Sequence, residues 1–289
     1  SHNIFDIFRL NYWVHHKSFQ IIHCHDCNIL KYVWGLFGAV SILTVHGTNL
    51  SLEGIRYYKI VVSISHSVEA IIRQKGIKNS PVVYNGIRTE LILPAKKRFL
   101  ETQSEEIKIL QIGRLDHQNK GQHLAMEALR ILIENYPQYH FSLTFIGEGN
   151  SYAFLKDISE KMGIHNQIHF LGKCSREYIY SHLKDYDILI QPSLFEGFGL
   201  TVVEAMAAGI PVLVSNIDGP MEIINNGEYG FCFNSNDPAD MANHLAYMIN
   251  HQEIVNNVVE KGKIRAQDFT LSKMIDNYER IYSMHSWES

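Results

Sequence analysis

Cysteine is scarce in this chain, with four in 289 residues. That is too few for a disulfide framework and points to a reducing cytosol. Long apolar runs are missing too: none approaches the roughly 18 residues of a membrane span, and the opening residues do not read as a signal peptide. Charge of one sign is not in excess. A formal net charge of -4 gives no electrostatic reason to expect nucleic acid. Prolines number only seven, and neither a low-complexity tract nor an internal repeat stands out. What the chain has is apolar residues, 46% of the total, enough for real cores, in a length that suggests two domains.

The most informative stretch runs from Ile188 to Glu222. Ile188 to Ile190 is an apolar run short enough for a buried parallel strand. Pro192, Gly197 and Gly199 then break regular structure, Thr201 to Ala208 reads as a helix, and Gly209 with Pro211 ends it before a second strand at Val212 to Val214. Strand, glycine loop, helix and strand make a βαβ unit whose helix amino end is an anion site, most often for phosphate. Glu204 sits among the apolar residues Val202, Val203, Ala205, Met206, Ala207 and Ala208, where a carboxylate is costly unless something polar meets it. Helical side chains lean toward the amino terminus, so Glu204 can reach back toward the loop that carries Glu196. Two carboxylates beside a phosphate site suit hydroxyl recognition, and phosphate plus sugar hydroxyls describes a nucleotide sugar.

Glu196 and Glu204, the preceding Pro192-Ser193, and the following Gly209-Ile210-Pro211-Val212 and Gly219-Pro220-Met221-Glu222 together resemble the donor-site signature of family four glycosyltransferases. These are retaining enzymes of the GT-B fold. The resemblance implies an α/β, GT-B-like architecture of two Rossmann-like domains with parallel sheets facing a cleft. It implies donor contacts along the loop and helix start at Gly197, Phe198, Gly199, Leu200 and Thr201. Glu196 would position the sugar and Glu204 the ribose.

Earlier in the chain, strand Ile107 to Ile112 leads into Gly113-Arg114-Leu115-Asp116-His117-Gln118-Asn119-Lys120-Gly121. Arg114 and Lys120 bracket one loop at a strand's carboxyl end, where both can converge on a diphosphate. The family's second signature matches this stretch and its phosphate-binding pair maps onto these two residues. Strand Ile168 to Leu171 ends at Gly172-Lys173, near which the family holds the nucleotide base through backbone groups. In Thr44-Val45-His46-Gly47, His46 matches the histidine that contacts the transferred sugar, and His25 occupies a similar strand end. The catalytic set is then His46, Glu196, Arg114 and Lys120. No cofactor and no metal are expected, since the two cations and the helix end can neutralise the leaving group. Asp185-Tyr186-Asp187 has the form of a metal-binding D-x-D, but it lies at the start of a strand, away from the carboxyl ends where such sheets bind ligands. A glycosidase-like pair of Glu196 and Glu204 would put one acid at the ribose rather than at the scissile bond.

Strand and helix signals alternate through the first part: strand Gln20 to His23, helix Asn28 to Phe37, strands Ser41 to Val45 and Val61 to Ile64, helix His66 to Gln74, strand Val82 to Tyr84. Ile4 to Val14 reads as an amphipathic helix packed on this sheet, with a membrane-surface helix as the alternative. Cys24-x-x-Cys27 within His23-Cys24-His25-Asp26-Cys27 invites a zinc or redox reading, yet Cys174 and Cys232 are isolated and supply no second ligand pair. A charged, irregular stretch from Arg88 to Glu106, including Lys96-Lys97-Arg98, reads as a linker. The expected domains are residues 1–95 on the acceptor side, 96–270 on the donor side, and a helix within 271–289 returning toward the first.

The resemblance also implies a first strand with a glycine-rich turn. Nothing before His23 reads as that element, so the first domain is expected to be incomplete by at least one βαβ unit of about 30 residues. Two functions are therefore carried forward. One is a retaining transferase moving a hexosyl group to a saccharide or lipid-linked acceptor in surface polysaccharide or glycolipid synthesis, in the cytoplasm or at the inner face of the membrane. The other is a donor-binding subunit or inactive fragment needing a partner chain.

Overall fold

The computed structural model describes residues 4–17, 19–36, 38–47, 52–95, 99 and 106–285. The chain divides into two units, Ser1–Gly86 with Leu271–Ser289, and Ile87–Thr270. The first boundary falls before the charged stretch because the chain after Gly86 is already tied into the second unit. Ile87 N–H donates to Phe269 O at 2.9 Å and Ala95 N–H to Ala208 O at 2.7 Å. Lys96-Lys97-Arg98 lies outside the described residues.

In the first unit, β1 (Ile21–Cys24), β2 (Val40–Val45) and β3 (Ile60–Ser63) form a parallel sheet in that order. The expected fourth strand is reduced to one bridge between Ser63 and Val82. Alternate residues Val40 and Ile42 of β2 and Ile60 and Val62 of β3 share one face, buried against Met274, Tyr278, Ile281 and Tyr282 of the C-terminal helix Leu271–His285.

Helix α1 (Ile4–His16) corrects the expectation of an apolar face on the sheet. Phe5, Phe8, Tyr12 and Trp13 are all exposed, and the buried residue of this helix is Asn11. Its amide donates to Ile7 O and Tyr32 O and accepts from Trp34 N–H at 2.7 Å. That last bond also explains why residues 28–36 form only a short 3₁₀ turn at Ile29–Tyr32. The N–H of Trp34 that would continue a helix is taken by Asn11. Helix α2 (Leu52–Ile55) and α3 (His66–Gln74) complete the unit. Ser65 caps α3, accepting from Val68 N–H at 3.2 Å.

The second unit holds β4 (Glu106–Ile112), β5 (His140–Ile146), β6 (Ile168–Gly172), β7 (Ile188–Gln191), β8 (Val212–Ser215) and β9 (Phe231–Phe233). They are all parallel, in the order β6-β5-β4-β7-β8-β9. This is a Rossmann-like doubly wound sheet, and its winding reverses between β4 and β7. Around it lie α4 (His117–Lys120), α5 (Gln122–Asn135), α6 (Tyr152–Lys161), α7 (Arg176–His182), α8 (Leu200–Ala208), α9 (Asp218–Ile223), α10 (Pro238–Asn250) and α11 (Gln252–Ala266). Strand residues such as Ile109, Leu143, Ile188 and Leu213 pack with Met126, Leu129 and Leu132 of α5 and Met241 and Leu245 of α10 into one core. No helix of the described residues is long and apolar enough to cross a membrane.

A chain of hydrogen bonds fastens the C-terminal helix to the first sheet. Tyr278 Oη meets Thr44 Oγ1, Thr44 Oγ1 meets His23 Nε2, and His23 Nδ1 meets Tyr282 Oη, each at 2.7 Å. Burial, then the neighbouring His25 and His46, lower the His23 pKa to about 4. A histidine held neutral in the fold but titrating near 6.5 when unfolded contributes stability that is full above about pH 6.5 and lost on acidification toward about 4. The unfolding temperature should therefore fall across that window, and His23→Gln should flatten the profile. Calorimetric unfolding against pH checks both.

Candidate functional site

The carboxyl ends of β4 and β7, where the winding reverses, lie side by side and their loops touch. Gly121 ends α4 with φ 65°, a conformation open to glycine. A Cβ there would lie 2.0 Å from Pro192 O. Leu194 N–H donates across to Asn119 O at 2.9 Å. The loop 113–121 therefore runs along the loop 192–199 with no room between their backbones.

Three nearly fully buried glutamines hold these loops from beneath. Gln111 donates to Lys120 O at 2.7 Å, Gln122 donates to Arg114 O at 2.9 Å, and Gln191 lies 3.4 Å from both Glu196 Oε2 and Thr201 Oγ1. In each the buried Oε1 has no hydrogen-bond partner among the described residues. Sequence reasoning passed over them, although a glutamine among the last two residues of an apolar strand was a visible signal at Gln111 and Gln191.

On this frame Lys120 Nζ and Glu196 Oε2 form an ion pair at 2.6 Å, about four-fifths buried on both sides. Arg114 is exposed on the same loop and lines a cavity of about 560 Å³ with Asp116, His117, Ser151 and Phe154. Gly199, at φ 110°, caps α8, and a Cβ there would come within 2.9 Å of Gln191 Oε1. Leu200 and Thr201 open the helix, whose amino end carries a partial positive charge. Gly197 and Phe198 complete the loop. The ring of Phe198 is buried against Phe269, centroids 5.5 Å apart, so it anchors the loop from inside.

Glu204 is fully buried. Its Oε1 is met by the Arg176 guanidinium and, at 3.4 Å, by the Tyr180 hydroxyl, while Oε2 has no partner among the described residues. Burial pushes its carboxyl above the usual carboxylate range, and Arg176 partly opposes that shift. Arg176 was not anticipated, and nothing in its local sequence marks it. Gly172 closes β6 with its carbonyl accepting from Gly147 N–H at 2.8 Å, and Lys173 beyond it is exposed.

His46 belongs to the first unit, at the end of β2, and its Nε2 meets His25 Nδ1 at 2.7 Å. Burial and then His25 lower its pKa, so the His46 imidazole favours its neutral form. Asp187 marks the opposite end of the second sheet, its Oδ2 accepting from Lys108 N–H at 2.8 Å. Cys24 and Cys27 carry free thiols, and no cluster of three potential metal ligands occurs among the described residues.

Residues 94–265 match the family model described as glycosyl transferases group 1. An uncharacterized glycosyltransferase of Methanocaldococcus jannaschii is 24% identical over 286 residues, covering 92% of this chain and 76% of that protein. The N-acetyl-alpha-D-glucosaminyl L-malate synthase of Bacillus anthracis is 25% identical over 261 residues, covering 83% and 67% respectively. Among solved structures, Anabaena Alr3699/HepE in complex with UDP and glucose superposes with a TM-score of 0.83 at 20% identity, covering 96% of this chain and 81% of that one. Sucrose-phosphate synthase from Thermosynechococcus elongatus gives 0.81 at 18% identity, covering 96% and 76%. These likenesses establish the GT-B fold class.

Glu204 also makes stability depend on pH. A carboxyl whose folded pKa is raised favours the fold at low pH, and that contribution is lost as pH rises through the folded value. Glu204→Gln does not titrate. The difference in unfolding temperature between this variant and the natural protein should shift in the variant's favour from about pH 5 to about pH 8, as measured by thermal unfolding in matched buffers.

Proposed function

Because the chain belongs to the glycosyl transferases group 1 family, we propose that it is a retaining hexosyltransferase. It would take a hexosyl group from a nucleotide diphosphate sugar and pass it to a saccharide or lipid-linked hydroxyl in surface polysaccharide or glycolipid synthesis. The observation that carries this reading is the Lys120–Glu196 pair at the junction of β4 and β7, beside the amino end of α8.

An arriving diphosphate would bring its oxygens to the first turn of α8 and offer Lys120 a second anion. Arg114, exposed on the same loop, would add a planar fork to one face of the diphosphate. As Lys120 turns to the phosphate, Glu196 is released to accept hydroxyls of the sugar. Glu204 would accept from the ribose, and the backbone at Gly172 and Lys173 would hold the base. His46, favoured as a neutral imidazole, would act as a hydrogen-bonding group rather than a charge.

Departure of the nucleoside diphosphate leaves an oxocarbenium-like sugar, and negative charge grows on the leaving oxygens. Two cations and a helix amino end aimed at those oxygens stabilise that charge most at the transition state, which is where stabilisation accelerates reaction. This is the basis for inferring transfer without a divalent ion. For a lipid-linked acceptor, the outward aromatics Phe5, Phe8, Tyr12 and Trp13 of α1, with Arg9 and Lys17 nearby, suit a peripheral contact with the cytoplasmic membrane face.

Incubation with a panel of nucleotide sugars and a hydroxyl acceptor should release nucleoside diphosphate, and the release should persist in a chelator. Arg114→Ala and Glu196→Ala should each reduce it by about a hundred- to a thousand-fold. Donor binding without release would point instead to a donor-binding subunit that works with a partner chain.

A further inference from the structure

Glu204 poses a problem that α8 does not solve. The carboxylate has no exposed surface, and the rest of Leu200–Ala208 supplies only Thr201 as a polar side chain. An ionised carboxyl in such a place is strongly disfavoured unless a charge or hydrogen bonds meet it. Both groups that meet it come from one face of α7. Arg176 and Tyr180 stand four residues apart, one helical turn, and both reach Glu204 Oε1. Among the described residues, these are the ionisable groups that act on Glu204. Tyr180 has its own pKa raised by burial and by the Glu204 charge, so it stays an O–H donor. That leaves Arg176, among the described residues, as the one positive charge in contact with the carboxylate.

We propose that Arg176 is a positioning residue for Glu204: its guanidinium fixes one carboxylate oxygen and leaves the other, Oε2, as the acceptor for a single hydroxyl of the ligand. The inference rests on the reading of Glu204 as the ribose carboxylate and refines it. With Oε1 occupied from α7, Glu204 has one free oxygen rather than two and accepts from one ribose hydroxyl rather than bridging a diol. The arrangement is asymmetric. The Arg176 side chain is 54% exposed while that of Glu204 is wholly buried. Removing the guanidinium therefore opens no large cavity but leaves the carboxylate without its countercharge, and the proton is then retained to higher pH. Arg176 also opens the helix that follows the Gly172–Lys173 turn, so one short segment would carry both the base contact and the control of the ribose contact.

Two measurements test this. The first needs no ligand: the ¹³C shift of the Glu204 side-chain carboxyl, followed against pH in the natural protein and in Arg176→Gln. The midpoint should move upward in the variant and return in Arg176→Lys. An unmoved midpoint overturns the proposal. The second is calorimetric titration with UDP, GDP and ADP as probes. For whichever nucleotide the natural protein binds, Arg176→Gln should bind about tenfold or more weakly near pH 6.5 and recover most of that loss near pH 9, a tenfold effect corresponding to a midpoint shift of one pH unit. A loss equal at every pH marks Arg176 as a tie between helices and overturns the proposal, as does no loss. Unfolding temperatures at each pH confirm that the variants remain folded. If Glu204→Ala leaves nucleotide affinity untouched, the ribose reading itself fails. If Glu204→Ala weakens binding and Arg176→Gln does not, the role given to Arg176 alone fails.

Discussion

The backbones of two loops meet where the second sheet reverses its winding, and the rest of the site depends on how tightly they meet. A side chain at Gly121 would collide with the carbonyl of Pro192, and Asn119 O accepts from Leu194 N–H across the gap. With the loops fixed this way, Lys120 from one and Glu196 from the other come within 2.6 Å without long flexible segments having to be ordered around a ligand. Much of the entropy of assembling a binding site is therefore spent during folding, which is the meaning of preorganisation. The buried amides of Gln111, Gln122 and Gln191 extend the same logic downward. Each ties a loop group to the end of a strand or the start of a helix, so the loops inherit the rigidity of the sheet.

Two acid–cation pairs serve the site in different ways. Lys120 and Glu196 are each about one-fifth exposed, so solvent and ions can reach both and either partner can be exchanged at modest cost. Glu204 and Arg176 differ sharply, one fully buried and the other more than half exposed. Exchange is easy only from the arginine side. The first pair suits groups that swap partners when an anion arrives. The second suits a carboxylate whose charge and orientation must be set before anything binds.

The parallel sheets were legible because their strands are short apolar runs closed by glycine or polar turns. Ile107 to Ile112 and Ile188 to Ile190 are strands within a residue or two of where periodicity puts them. The placement of Arg114, Lys120 and Glu196 beyond the ends of two strands was legible as well, and the structure sets all three on adjacent loops. What sequence did not reveal depends on partners distant in the chain. The aromatics of α1 read as a buried face, yet the residue that docks the helix is Asn11 through backbone groups at residues 32 and 34. The same contact shortens the helix expected at residues 28–37. Arg176 looked like any surface arginine because the carboxylate it meets is 28 residues further on.

The first unit is assembled from the two ends of the described chain, with Met274, Tyr278, Ile281 and Tyr282 covering a sheet formed by residues 21–63. Residues 87–270, by contrast, are one uninterrupted segment with a complete six-stranded sheet. During synthesis, the strands of the first unit emerge before the second unit but lack the apolar cover for one face until the helix Leu271–His285 appears. The later-made sheet can close on itself in the meantime. Birth order along the polypeptide and order of completion are therefore reversed, and a nascent chain halted before residue 271 would expose valine and isoleucine side chains that the finished protein conceals.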